Sequence, residues 1–115
     1  MATTEVHSDA EFSRLIEKGI ALVDFYAPWC APCRVQEPVI EDLGDTYEQQ
    51  AAIGKVDVER VRNTARTLGV QSIPTLILFC DGREVDRFIG IQRKETLVRS
   101  IESALSLSAG NGAQF

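Results

Sequence analysis

Cysteine is scarce in this chain. Three in 115 residues are too few for the small secreted scaffolds that rely on disulfides in place of a hydrophobic core. Histidine is scarcer still, with one. Structural zinc generally takes four Cys or His ligands, and beyond the single Cys-x-x-Cys pair only Cys80 and His7 are on offer, far away in sequence and without paired spacing. Long apolar runs are missing as well, since no stretch approaches the roughly 20 residues that cross a bilayer as a helix. Basic residues are outnumbered, 12 Lys and Arg against 17 Asp and Glu for a formal charge of -5. They are scattered rather than clustered, which argues against binding to a phosphate backbone. The segment Met1 to Asp9 has neither a basic start nor an apolar run, so no signal peptide is expected and the expected compartment is the cytoplasm.

What remains is an ordinary globular composition, 44% apolar and 25% charged, at a length that suits one domain. The one compositional break is the small, polar segment Ser108 to Phe115, which predicts a single domain over residues 1–107 and a disordered tail over 108–115. A monomer is expected. In a reducing compartment a Cys-x-x-Cys pair such as Cys30 and Cys33 is redox-active or metal-binding more often than structural.

The apolar period changes repeatedly along the chain. Phe12, Leu15 and Ile16 share a helical face, after Ser8 or Asp9 as N-cap and before Gly19 as a stop. Ile20 to Tyr26 is almost continuously apolar, as in a strand covered on both faces, and only Asp24 interrupts it. Val35, Val39, Leu43 and Tyr47 recur every fourth residue and predict a second helix beginning near Cys33, with Pro38 inside it as a kink. Ala52 to Val58 alternates as a strand does, and Val61, Ala65 and Leu68 predict a short helix ending at Gly69. Two further strands, Thr75 to Phe79 and Val85 to Ile89, flank the hairpin signal Asp81-Gly82. Leu97, Val98, Ile101 and Leu105 line a closing helix, with Glu95 and Arg99 as a pair on its exposed side. The order (β)αβαβαββα implies an α/β fold, a central mixed sheet of four to five strands with four helices on its two faces. Sites in such sheets form beyond the carboxyl ends of strands, where the Cys-x-x-Cys segment falls.

Asp24, the run Ala27-Pro28-Trp29-Cys30-Ala31-Pro32-Cys33, the helix proline Pro38, Lys55, Ile73-Pro74-Thr75, the Asp81-Gly82 hairpin and Gly90 follow one another in family order and spacing. On those residues the chain resembles the thioredoxin family. The resemblance implies the thioredoxin fold and a protein-disulfide reductase, a dithiol oxidoreductase of electron transport and cell redox homeostasis whose redox-active disulfide joins Cys30 and Cys33. It also implies disulfide-containing protein substrates and, as electron donor, a thioredoxin reductase, an NADPH-dependent flavoprotein. No bound cofactor or metal is needed.

Within that resemblance Cys30 is the nucleophile, because a thiol at the N-terminal end of the second helix meets unpaired amide N–H groups that favour a thiolate. Cys33, one turn on, resolves the mixed disulfide. Asp24 is expected to be desolvated, with a raised pKa, and to act as general base for Cys33, with Lys55 close to it. Pro74 is expected to be cis as in the family's loop, and to expose the Ile73 backbone opposite Cys30 for pairing with an extended substrate. Trp29, Ala31, Pro32, Ile73, Pro74, Gly90 and Ile91 are expected to form an apolar docking patch around the sulfurs. Cys80 reads as a small filler. Three departures stand out: Ala31 in place of the usual Gly, Arg34 in place of Lys, and polar Gln36-Glu37 where apolar residues are frequent. Two alternatives stay open. One is an oxidant or isomerase. The other is a redox-independent chaperone or a subunit of a larger complex that uses the fold as a binding module.

Overall fold

The computed structural model describes residues 2–113, with the side chains of 109–113 left aside. The elements run β1(Thr3–Val6), α1(Asp9–Ile16), β2(Ile20–Tyr26), α2(Ala31–Thr46), β3(Ala51–Asp57), α3(Arg62–Thr67), β4(Thr75–Cys80), β5(Arg83–Ile89) and α4(Lys94–Ala113). The five strands form one sheet in the order β1-β3-β2-β4-β5. β1, β3 and β2 pair in parallel, while β4 pairs antiparallel with both β2 and β5. This is the expected mixed α/β architecture, and β2 is its central strand.

Strand alternation on β2 divides the interior into two cores. Ala21, Val23 and Phe25 face one core with Phe12 and Ile16 of α1, whereas Ile20 and Leu22 face the other with Ile40 and Leu43 of α2 and Leu97 and Ile101 of α4. Asp24 shares its parity with Ile20 and Leu22, so it lies on the face covered by α2. Lys55 is its neighbour on β3 and shares the parity of Ile53. Two residues of an apolar strand pair thus bring a carboxylate and an ammonium beneath one helix.

Local chemistry sets the turns where the sequence places them. Ser8 caps α1 by accepting the Glu11 N–H at 3.1 Å. Asp81 and Gly82 both take positive φ, 50° and 84°, the backbone a two-residue type I′ hairpin requires. Other expectations need correction. The buried side of α2 carries Cys33, Gln36, Ile40, Leu43 and Gly44, and Val35, expected on the core face, is 61% exposed. Steps of four residues advance about 400° around a helix, so an i+4 series drifts off a fixed face. Glu95 reaches Arg93 at 3.7 Å rather than the expected Arg99. At its C-terminal end the backbone of α4 is helical as far as Ala113, within the segment whose composition marked a tail; Gln114 and Phe115 lie outside the described residues.

Candidate active site

The Cys30 backbone is extended, φ -85° and ψ 112°, and the residue caps α2 with its own sulfur: Sγ accepts the Cys33 N–H at 3.3 Å. The helix therefore starts at Ala31, earlier than its apolar period suggested, because the cap is a cysteine rather than one of the usual Ser, Thr, Asp or Asn signals. Pro32 occupies the first turn, where its missing N–H costs nothing. The Cys30 N–H donates to Ala27 O at 3.2 Å, and the Arg34 guanidinium donates to Pro28 O at 2.9 Å, tying the motif to the end of β2. Both thiols are free and buried.

The loop before β4 closes over this corner. The Ile73–Pro74 peptide is cis, and Cys30 Sγ lies 3.9 Å from Ile73 O. Pro74 O accepts the Gly90 N–H at 2.8 Å, so the 90–91 segment is fixed beside the proline loop. Trp29, at 64% exposure, stands out from the surface, its indole N–H donating to Glu59 Oε2 at 2.8 Å. Ala31, Pro32 and Ile91 are also exposed, Ile73 and Gly90 half-buried, and Pro74 buried. Nothing in the sequence points to Glu59, which lies 30 residues from Trp29.

Beneath the sulfurs is a cavity of about 250 Å³ lined by Asp24, Tyr26, Ala27, Pro28, Cys33, Arg34, Glu37 and Lys55. Asp24 is 1% exposed, and its Oδ1 has no hydrogen-bond partner among the described residues. Burial pushes its carboxyl up to about 7, with the nearby Lys55 charge opposing the rise and Glu37 and Glu5 adding to it. Burial likewise raises the Cys33 thiol to about 12, helped by its hydrogen bond with Cys30 and by the charges of Cys30 and Asp24. Lys55 does not bond Asp24. Its Nζ donates to Glu37 Oε2, lies 4.0 Å from Glu41 Oε2, and sits 4.9 Å from the centre of the Tyr26 ring. Burial pulls the ammonium down, but the bond to Glu37 and the charges of Glu37, Glu5 and Glu41 outweigh it, and the pKa ends above its ordinary value. Glu37, which the sequence marks only as a departure, is thus a site residue. Its position one turn past Cys33, at i+4, is the signal that points to it.

Cys80 pairs with Ile20, the first residue of β2, at the opposite end of that strand from the motif. It packs half-buried against the α2 and α4 core, the filler position expected of it. His7 is exposed and pairs with Glu11 at 3.3 Å. Among the described residues no three His, Cys, Asp or Glu side chains converge as a metal site, and no helix is long and apolar enough to cross a membrane.

Comparison with known proteins agrees with this geometry. The family model described as Thioredoxin matches residues 3–103. A thioredoxin of Staphylococcus aureus is 46% identical over 105 residues, covering 91% of this chain and all of that protein. Among solved structures, a mutant thioredoxin from Halobacterium salinarum superposes with a TM-score of 0.81 at 38% identity, covering 90% of each chain. The thioredoxin of Fasciola hepatica superposes at 0.80 with 34% identity, covering 88% of this chain and 98% of that one.

Proposed function

Since the chain belongs to the thioredoxin family of thiol–disulfide oxidoreductases, we propose that Cys30 and Cys33 are its exchanging thiols, with Asp24 as the proton acceptor of the second step. The observation that carries this is the sulfur-capped helix: Cys30 Sγ accepts the Cys33 amide and faces Ile73 O across the cis-proline loop. That bond fixes the Cys30 sulfur at the start of the helix, facing the loop, and only a thiolate attacks disulfides. In the first step Cys30 Sγ bonds to one substrate sulfur and the substrate S–S bond breaks, releasing the other sulfur as a thiolate that takes up a proton. Cys33 then loses its proton, attacks Cys30 Sγ and expels the remaining substrate sulfur. The products are a dithiol substrate and a Cys30–Cys33 disulfide.

The second step needs a base, because burial holds Cys33 protonated. Asp24 is buried in the same cavity with a carboxyl near neutrality, matched to proton transfer at physiological pH. The cavity has polar groups in its lining, among them Arg34, Glu37 and Lys55, and is large enough for water to bridge Asp24 and Cys33. Lys55 moderates the proton affinity of Asp24 by its charge alone, since its hydrogen bond goes to Glu37.

Trp29, Ala31, Pro32, Ile73, Pro74, Gly90 and Ile91 form the docking rim, and exposure of Trp29 and Ile91 supports their contact with substrate. The protein works in a reducing compartment, the cytoplasm, and a flavoprotein thioredoxin reductase using NADPH returns the disulfide to the dithiol. It acts as a monomer, and residues 1–107 are the folding unit. The test is dithiothreitol-driven reduction of insulin: wild type accelerates it, and equal rates for wild type and Cys30→Ser would sink the assignment.

A further inference from the structure

Gln36 is fully buried, at 0% exposure, one turn along α2 from Cys33, at a position where an apolar side chain would ordinarily complete the helix face. A buried amide is retained only when its polar atoms are paired, and here they pair with one residue. Gln36 Oε1 accepts the Gln92 backbone N–H at 2.7 Å, and Gln36 Nε2 donates to the Gln92 backbone O at 3.1 Å. Residue 92 lies between the end of β5 and the start of α4, directly after the rim residues Gly90 and Ile91. Its own side chain donates to Ile89 O and Gly90 O, both at 3.3 Å, and Gly90 N–H in turn donates to Pro74 O at 2.8 Å. A continuous chain of hydrogen bonds thus runs from the helix bearing Cys33, through Gln36 and Gln92, to Gly90 and the proline loop.

We propose that Gln36 is a positioning residue for protein substrates, one that locks the 90–92 segment to the redox helix at the height at which an extended polypeptide can lie across Trp29, Pro74 and Ile91. The inference rests on the docking rim described above. Both hydrogen bonds of Gln36 go to Gln92 and neither to a sulfur, so it takes no part in the thiol exchange. A small disulfide needs only access to Cys30, whereas a polypeptide also needs the rim in register, and loss of Gln36 should separate the two.

The experiment measures reduction of insulin and of 5,5′-dithiobis(2-nitrobenzoate) by reduced wild-type, Gln36→Leu and Gln36→Glu proteins, at a temperature where circular dichroism shows each folded. Leucine removes both bonds to Gln92, while glutamate keeps the acceptor for its N–H. For Gln36→Leu the expected result is a KM for insulin raised about fivefold or more, with kcat and the small-disulfide rate within about twofold of wild type, roughly 1 kcal/mol of lost docking. Gln36→Glu should fall between. Amide hydrogen exchange at residues 90–92 should be faster in Gln36→Leu. Where leucine prevents folding, Gln36→Glu carries the same comparison, and Gln92→Ala, which keeps both backbone bonds to Gln36 but removes those to Ile89 O and Gly90 O, tests the next link of the chain, with the same selective loss on insulin expected. Equal losses on both substrates, or no change on either, would overturn the proposal. Wild type no faster than Cys30→Ser on both substrates would instead overturn the reading of the site itself.

Discussion

Replacing Asp24 with asparagine keeps the shape of the side chain and removes its titration, which makes the energetic cost of this buried carboxyl measurable. The folded-state pKa is raised from 3.8 to about 7 by desolvation, so the folded protein holds the proton more tightly than the unfolded chain does. Stability from this group is therefore fully present below the unfolded value and is lost as pH rises through the folded one. At 1.36 kcal/mol per pK unit, the wild type loses about 4 kcal/mol by pH 8 but under about 2 kcal/mol at pH 5. Asp24→Asn loses none of it. The variant should gain on wild type by about 2–3 kcal/mol between pH 5 and pH 8. Near pH 8 its melting temperature should rise by about 15 °C for a chain of this length. Urea unfolding of both proteins at the two pH values, with equal m-values, measures the difference directly. A stabilisation of the same size at both would refute the claim that Asp24 titrates while buried. The same variant should slow disulfide turnover, because the second step loses its base.

The electrostatic assignment around Asp24 predicts shifts of opposite sign. Lys55→Met removes an opposing charge and should raise the Asp24 pKa further, while Glu37→Gln removes a like charge and should lower it; a carboxyl-carbon NMR titration distinguishes them. Ile40→Ala, in the fully buried face of α2, should cost about 2–5 kcal/mol in chemical denaturation, whereas Val35→Ser on the exposed side should stay within about 0.5 kcal/mol. Deleting residues 108–115 should leave the melting temperature within about 2 °C, since among the described residues the last of α4 packed against the core is Leu105.

Features that depend on neighbours in sequence are legible in the sequence itself. The Asp81-Gly82 hairpin, the Ser8 cap and the apolar β2 strand are each written in a few adjacent residues, and strand parity alone aims Asp24 at the same face as Ile20 and Leu22. The cis Ile73–Pro74 bond is legible only through the family resemblance, as is the nearness of Lys55 to Asp24. Side-chain partners are harder. Gln36 stands out as a departure, yet its partner Gln92 lies 56 residues away, and nothing in either local segment names the other. Lys55 is expected at Asp24, but a lysine stem is long enough to choose among acids, and it bonds Glu37 instead. Val35 is misplaced when an i+4 rule is extended beyond one turn, and α2 is started too late when cysteine is not read as a cap.

The most direct test of the account is to trap its covalent intermediate. Cys33→Ser leaves the attacking thiol and removes the resolving one, so incubation of the reduced variant with insulin should accumulate a mixed disulfide, which mass spectrometry of the peptide-mapped adduct locates on Cys30. Cys80, the remaining thiol, should stay free. An adduct on Cys80, or none on Cys30, would contradict the assignment of Cys30 as the attacking sulfur.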